Sequence, residues 1–365
     1  MKQFNFKNYF LIALLALSFA SCKKDSSPIE DVKQAGKYEN GFFIVNEGWY
    51  GHGTGEVKFY DYNSGKLADS IYKKENPAGN LNPATSTLQY AALFNGKIYL
   101  VSKVGGPVVV LDAKTFKETG RMAAKAGNDW RAFLGLDART ALLSSNNGVY
   151  VLDLKTMTAN IKLAASAGQV GDMFRAGQYI YTHSATDGAV IYNADDFSLV
   201  KKIKNVRMGF AQTPNGRIWY TNDKFLYSTN PVDLSTDSVA LGFTSNSIWG
   251  AWHSSSLVAS TKENAVYVLK TGSFAGGTDV YKYIAGNPGS LDKPFASLPA
   301  RQIFYGKGIG FDAKLGQVVI TSVQDGFGQN FAINHLYFYD AISGELKKTV
   351  DYDGFHFPAL LVFSN

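Results

Sequence analysis

Short runs of aromatic and β-branched residues, most of them ending in Asp or Asn before a turn, recur along the chain. The seven copies are Val57–Asp61, Val108–Asp112, Val149–Asp153, Val190–Asn193, Phe225–Asn230, Val266–Lys270 and Leu336–Asp340. Their last residues are 51, 41, 40, 37, 40 and 70 residues apart. A period near 40 residues is typical of a four-stranded propeller blade, and the long last interval predicts an insertion.

A second strand is predicted before each copy. These second strands are Phe42–Val45, Lys97–Val101, Thr140–Leu143, Tyr179–Tyr181, Arg217–Tyr220, Leu257–Ala259 and Gln317–Ile320. Turn residues and a weaker fourth strand follow each copy, as at Lys201–Lys204. From the second copy onward an inner strand also precedes the pair, for example Leu88–Leu93.

The first copy has no inner strand before it, whereas residues 357–364 form a strand that has no blade of its own. If residues 358–364 complete the first blade, the ring closes and leaves no exposed sheet edge at the junction. The sequence therefore predicts an all-β fold, a seven-bladed β-propeller whose C-terminal strand completes the first blade. An eight-stranded sandwich is the alternative.

The N-terminus reads as a lipoprotein signal. A Lys-containing start and a short apolar run (Tyr9–Leu17) lead to Phe19-Ala20-Ser21-Cys22, and Cys22 is the only cysteine. We predict a signal peptide over residues 1–21, a lipidated flexible tether over 22–40 and the propeller over 41–365. An acylated Cys22 would hold the protein at the outer membrane, exposed at the cell surface. The alternative is an ordinary signal peptide with a chance cysteine.

Composition and charge bear on the fold and on the class of partner. Hydrophobic residues make up 45% of the chain and aromatic residues 14%, but charged residues only 18%, as expected of many short strands joined by tight turns. The net charge is +6, yet no run of Lys and Arg exceeds two residues. Nucleic acid is therefore not an expected partner, because a nucleic-acid site needs clustered cations.

Candidate chemistry is concentrated in loops that share one face of the predicted ring. Most of the tryptophans and histidines fall in or beside these loops, which a rigid scaffold would hold in place for binding. The predicted ligand contacts, with the aromatic anchors Trp49 and Trp130 expected at loop tips, are Trp49, Tyr50, His52, Trp130, Arg131, His183, Arg207, Trp249, Phe327, Asn330 and His335.

Familiar catalytic motifs do not occur. The sequence contains no HExxH, GxSxG, P-loop or CxxC pattern, and the histidines are spread over the predicted blades. We therefore expect no enzyme, no catalytic residue, no metal site and no cofactor. Three classes stay open: a ligand-capturing binding protein, a surface adhesion or assembly propeller without a small ligand, and a lactonase-like enzyme.

The segment Asn46-Glu47-Gly48-Trp49-Tyr50-Gly51-His52-Gly53, with the lipobox before it and a Phe-Pro-Ala ending, carries a resemblance. Over residues 40–365 the chain resembles the YncE-like DUF5074 propellers of Bacteroidota, which include the BtuG-type surface lipoproteins. This resemblance implies capture of cobalamin or related corrinoids as a transported ligand. It also implies delivery of that ligand to a TonB-dependent outer-membrane transporter.

Overall fold

A computed structural model describes residues 36–272 and 276–364, and in these ranges the chain forms seven four-stranded antiparallel sheets. The first fourteen strands are β1 (Gly41–Asn46), β2 (Glu56–Asp61), β3 (Lys66–Ala68), β4 (Thr87–Phe94), β5 (Lys97–Lys103), β6 (Val108–Asp112), β7 (Glu118–Met122), β8 (Trp130–Gly135), β9 (Thr140–Ser145), β10 (Gly148–Asp153), β11 (Thr158–Lys162), β12 (Val170–Ala176), β13 (Tyr179–Ser184) and β14 (Gly188–Asn193). The other fourteen are β15 (Leu199–Ile203), β16 (Met208–Gln212), β17 (Ile218–Thr221), β18 (Phe225–Thr229), β19 (Thr236–Ala240), β20 (Leu257–Ala259), β21 (Ala265–Leu269), β22 (Asp279–Ile284), β23 (Ala296–Ser297), β24 (Gln302–Asp312), β25 (Gln317–Gln324), β26 (Asn334–Asp340), β27 (Leu346–Asp351) and β28 (Pro358–Phe363).

Each sheet is one blade of a seven-bladed β-propeller, as predicted. Blade one has the order β28-β1-β2-β3, and blades two to seven take four consecutive strands each, from β4–β7 to β24–β27. The first strand in each order is the innermost, and neighbouring inner strands contact one another around the axis. Within the described ranges, one α-helix, α1 (Ile71–Glu75), and two short 3₁₀ turns (Pro288–Leu291 and Gly328–Ala332) lie in the connections.

The ring closes through β28, which pairs antiparallel with β1. The register joins Phe42 to Phe363 and Ile44 to Leu361. Leu360, Leu361 and Val362 of β28 are each at most 8% exposed. The predicted completion of the first blade by the C-terminal strand is confirmed, and β1 has a hydrogen-bonded neighbour on both sides.

Packing between blades explains the aromatic and β-branched repeat. The Tyr99 ring of blade two stacks on Phe133 of blade three at 4.1 Å between centroids. Phe42 of blade one similarly packs 6.1 Å from Phe338 of blade seven. Middle strands are covered on both faces and are therefore apolar, whereas outer strands such as β15 are mostly exposed and carry lysines. The alternation of apolar and polar strands along the chain therefore indicates how far each strand lies from the axis of the ring.

Blade six departs from the prediction. Leu257–Ala259, expected to be a second strand, is the innermost strand β20, and the repeat copy at Val266–Lys270 is the second strand β21. The third strand of this blade is β22, which lies midway along the chain between the third strands of blades five and seven. Both intervals, 55 residues from Thr229 to Ile284 and 56 from Ile284 to Asp340, exceed the period near 40, so the added residues are divided between two blades instead of lying in one interval. The repeat pattern matched one strand too early because the middle strands β21 and β22 both contain a Val-Tyr pair.

Candidate functional site

The connections between second and third strands, and those that enter each inner strand, lie on one face of the ring, here called the loop face. Antiparallel pairing within every blade requires this arrangement. Contacts between connections agree with it. The Trp49 ring of the β1–β2 connection stacks on Phe355 of the β27–β28 connection at 4.4 Å, and Gly51 N–H donates to the Ala84 carbonyl of the β3–β4 connection at 2.8 Å.

An uninterrupted series of rings follows the junction of blades seven and one. Consecutive members lie between 4.0 and 6.4 Å apart, centroid to centroid. We call this the aromatic surface, and its members are His52, Trp49, Phe355, Phe357, Tyr305, Phe331 and Phe327. Trp49 is 41% exposed and Phe327 54%, and nearby Tyr50 is 54% exposed. Large rings held this open form an exposed hydrophobic surface, a feature that in other proteins often marks an interaction site.

A second cluster lies nearer the axis, where residues 241–256 between β19 and β20 form an axial segment. The Lys103 ammonium of blade two donates to the Trp252 carbonyl at 2.9 Å, and Ser255 N–H donates to Asp172 of blade four at 2.7 Å. The axial segment therefore reaches from blade five across to blades two and four.

Arg131 lies between two indoles of the axial segment. Its guanidinium carbon is 5.7 Å from the Trp249 ring centre and 5.6 Å from that of Trp252. Arg131 Nη2 donates to Gln169 Oε1 at 2.7 Å. Arg131 Nε and Nη1 are buried and have no hydrogen-bond partner among the described residues, so the indole faces take the place of acceptors.

The inner strands share a feature that aims side chains into the channel. Six of the seven contain a β-bulge close to the loop face. A bulge adds a residue to one strand and redirects its side chains. The bulges contain Gln89, Arg131 and Asp172 on β4, β8 and β12, and the last two contact the axial segment. The largest, on β24, contains Tyr305 to Gly308 and carries Lys307.

The charged groups in this region are of mixed sign. Lys103 is buried, whereas Glu47, Asp172 and Lys307 are partly buried. Burial raises the pKa of Glu47, whose carboxylate accepts from Gln89 Nε2 at 3.0 Å, while attraction to Lys103 opposes the shift. Burial lowers the pKa of Lys103 and of Lys307. Buried, incompletely paired groups of this kind cluster at functional sites, since a fold gains no stability from them.

The predicted contact residues divide into two groups. Trp49, Tyr50, His52 and Phe327 lie on the loop face at or beside the aromatic surface. Trp130 is only 5% exposed and packs edge-on against Tyr150, and His183 is fully buried with Nε2 3.0 Å from the Val206 carbonyl. The expectation that Trp130 lies at a loop tip is therefore wrong.

Four other predicted contact residues interact with neighbouring groups of the protein. Arg207 forms an ion pair with Asp223 at 2.7 Å, and its Nε donates to the Ser245 carbonyl. Asn330 donates to the Phe327 carbonyl, and His335 pairs with Asp351 at 2.7 Å. Trp249 lies 4.9 Å from the His183 ring. Ligand contact by any of these side chains stays a prediction.

Sequence reasoning did not select the inner-strand residues Asp172 and Lys307, nor Tyr305, Trp252 and Lys103. Asp172, Lys307, Tyr305 and Lys103 lie in strands, and Trp252 lies in the axial segment. One local signal could have identified Lys307, because Tyr305-Gly-Lys-Gly308 interrupts a predicted strand with two glycines around a cation. The other side chains reach the axis through bulges or through the axial segment, which have no short-range signature.

The described residues contain no group of three or more His, Cys, Asp or Glu side chains placed to hold a metal ion. Nor does any helix within the described ranges have the length and apolar character needed to cross a membrane. Cys22 and most of the predicted tether lie outside the described residues.

Comparison with known proteins agrees with the geometry of the fold. A family model described as a domain of unknown function, DUF5074, matches residues 40–364. No curated protein matches the chain in sequence. Among solved structures, a quinoprotein alcohol dehydrogenase-like protein from Bacteroides thetaiotaomicron is 18% identical with a TM-score of 0.71, covering 90% of this chain and 79% of its own.

Two more distant structures share the architecture. The computationally designed Ika8 protein is 13% identical with a TM-score of 0.53, over 89% of this chain and 91% of its own. A dihydro-heme d1 dehydrogenase, solved in complex with DHE, is 11% identical with a TM-score of 0.50, over 86% of this chain and 74% of its own. At these identities the likeness concerns the fold alone.

Proposed function

The chain belongs to the DUF5074 family, and on that premise we propose that it is an outer-membrane surface lipoprotein that captures cobalamin or a related corrinoid on the loop face. It passes this ligand to a TonB-dependent transporter, and its lipid anchor is Cys22. The protein is a binding protein and not an enzyme. The observation that carries the proposal is the aromatic surface, in which Trp49 stacks between His52 at 4.0 Å and Phe355 at 4.4 Å while 41% of Trp49 stays exposed.

Ligand chemistry supports this choice. A corrinoid has a broad ring with apolar faces and an edge of carboxamide side chains. Aromatic rings cover apolar faces well, and the polar groups around the channel mouth supply donors and acceptors for an amide-bearing edge. Because the loops are carried by closed four-stranded blades, little conformational entropy is lost on binding, which favours high affinity.

The test is a titration of the purified full chain with cyanocobalamin and with cobinamide, followed by quenching of tryptophan fluorescence. We expect both to bind, and the coloured ligand to stay with the protein through gel filtration. Trp49→Ala should weaken binding more than about thirtyfold, because truncating an aromatic anchor typically costs at least about 2 kcal/mol.

Ile342→Ala is the matched control. Ile342 is 82% exposed in the turn between β26 and β27, on the face opposite the loop face. Its removal should leave the affinity unchanged. If neither corrinoid bound at micromolar protein, the corrinoid proposal would be wrong, and the exposed aromatic surface would instead favour the adhesion or assembly propeller.

A further inference from the structure

Lys307 lies in a wide β-bulge of the inner strand β24. Between Phe304 and Ile309 this strand contains three more residues than its partner β25. Gly306 and Gly308, on either side of Lys307, have φ angles of +61° and +71°. A Cβ on Gly306 would lie 2.5 Å from the Ala359 carbonyl oxygen of the next inner strand. Only glycine therefore fits there, and the bulge that presents Lys307 is built into the sequence.

Asp172 occupies the corresponding place across the ring. It lies in the bulge of β12, in blade four, while Lys307 belongs to blade seven. Inner strands three blades apart face each other only across the channel. Each is partly exposed. Yet no ion pair joins them, so a gap separates the ammonium from the carboxylate.

Both groups have unused hydrogen-bonding capacity. Among the described residues, no acceptor lies within hydrogen-bond or ion-pair distance of Lys307 Nζ. Asp172 Oδ2 accepts from Ser255 N–H at 2.7 Å, and no described donor reaches Oδ1. Burial lowers the pKa of Lys307, although the Asp172 charge opposes that shift. A partly desolvated donor and acceptor that face each other favour a guest able to satisfy both.

The charge of that guest follows from the charges around it. An anion would be attracted by Lys307 but repelled by Asp172, whereas a cation would be attracted by Asp172 but repelled by Lys307. A neutral primary carboxamide suits both walls, since its oxygen accepts from the ammonium and its NH₂ donates to the carboxylate. The subsite lies next to the aromatic surface, because Tyr305, two residues before Lys307, packs on Phe357 at 5.6 Å.

We infer that Lys307 and Asp172 form an axial subsite that binds one carboxamide arm of the captured ligand and discriminates against the corresponding carboxylate. The assignment rests on the proposed function and specifies which part of the ligand enters the channel. Lys307 donates to the amide oxygen, and Asp172 accepts from the amide nitrogen.

The experiment measures affinities of the full chain for cyanocobalamin and for the isomeric monocarboxylic acids made by hydrolysing one peripheral amide. We expect at least one acid to bind about tenfold to a hundredfold more weakly than the amide form, since a hydrogen bond to a charged partner is lost and a repulsion is added. Asp172→Asn should reduce this discrimination to about threefold or less. Lys307→Met should weaken binding of the amide form about tenfold or more.

Lys347→Met, on the outer strand β27 of the same blade, is the control and should change neither affinity nor discrimination. Melting temperatures of all variants check folding, and the nearly isosteric Asp172→Asn variant tests the subsite alone if Lys307→Met does not fold. Equal affinity for the amide and every acid, or wild-type discrimination in Asp172→Asn, overturns the subsite. If the wild-type protein binds no corrinoid at all, the proposed function fails and this assignment falls with it.

Discussion

Two tryptophans beside the loop face differ in how much of the indole is covered by protein. Trp49 is 41% exposed and contacts rings of the loops, whereas Trp130 is 5% exposed and belongs to a cluster with Val101, Phe133 and Leu143. An indole in a core stabilises the fold, while an exposed one is available to a ligand. Residue type alone therefore does not distinguish a tryptophan that can contact a ligand from one that packs in the core of a blade.

This contrast gives a stability prediction. Trp130→Ala should lower the free energy of unfolding by about 3–5 kcal/mol, because it removes a buried aromatic side chain and leaves a cavity. Trp49→Ala should change it by less than about 1 kcal/mol. Urea denaturation followed by circular dichroism measures both. Equal losses in the two variants would show that Trp49 supports the fold and would weaken its role as a ligand contact.

Single residues also mark the limit of reading a site from the sequence. Trp49, Tyr50 and His52 could be selected because they follow one another in a glycine-rich loop. Asp172 and Lys307 are 135 positions apart, and what they share is a place in the bulge of an inner strand. Ring closure and bulge position decide such a pairing, and neither leaves a pattern that spacing along the chain reveals.

At the scale of elements, β28 is the strand on which closure depends. It contributes the buried Leu360, Leu361 and Val362 and all the inner hydrogen bonds of blade one. The sequence predicted this strand because blade one lacked an inner partner. Blade six was misassigned by the same reasoning, since β21 and β22 are both short apolar middle strands and only pairing order separates them.

Removing residues 358–364 should therefore destabilise the protein strongly. Each large buried side chain contributes about 1.5–3 kcal/mol, and the edge of β1 becomes exposed. We expect the melting temperature to fall by more than about 10 °C or the cooperative transition to disappear. Leu346→Ala on the partly exposed outer strand β27 is the control and should melt nearly as the wild type. A shortened chain that melts within a degree or two of the full chain contradicts the structural role of β28.

At the scale of the whole molecule, the proposed function needs two parts of the chain, a lipid anchor on Cys22 and a binding face on the propeller. The chain enters the described fold at Gly36 and reaches β1 at Gly41. The lipid on Cys22 stays a proposal with a test of its own, because Cys22 lies outside the described residues.

Cys22→Ser tests the anchor. Lipid attachment needs the thiol, so the variant should move from the membrane fraction to the soluble fraction after cell lysis, without loss of corrinoid binding. Fractionation and a titration of the soluble variant are the two measurements. Retention in the membrane fraction would refute acylation of Cys22 and leave the binding proposal untouched.

The pairing of β1 with β28 also has a consequence for how quickly the protein reaches its native state. Phe42 and Phe363 are ladder partners, although 321 positions separate them. Contacts this distant in sequence form late, since the entropy of closing so long a loop must be overcome first. Blades two to seven can each assemble from neighbouring strands, but blade one cannot. Until it does, the newly made chain keeps the unpaired edge of β1 exposed, and chaperone protection matters most in that interval.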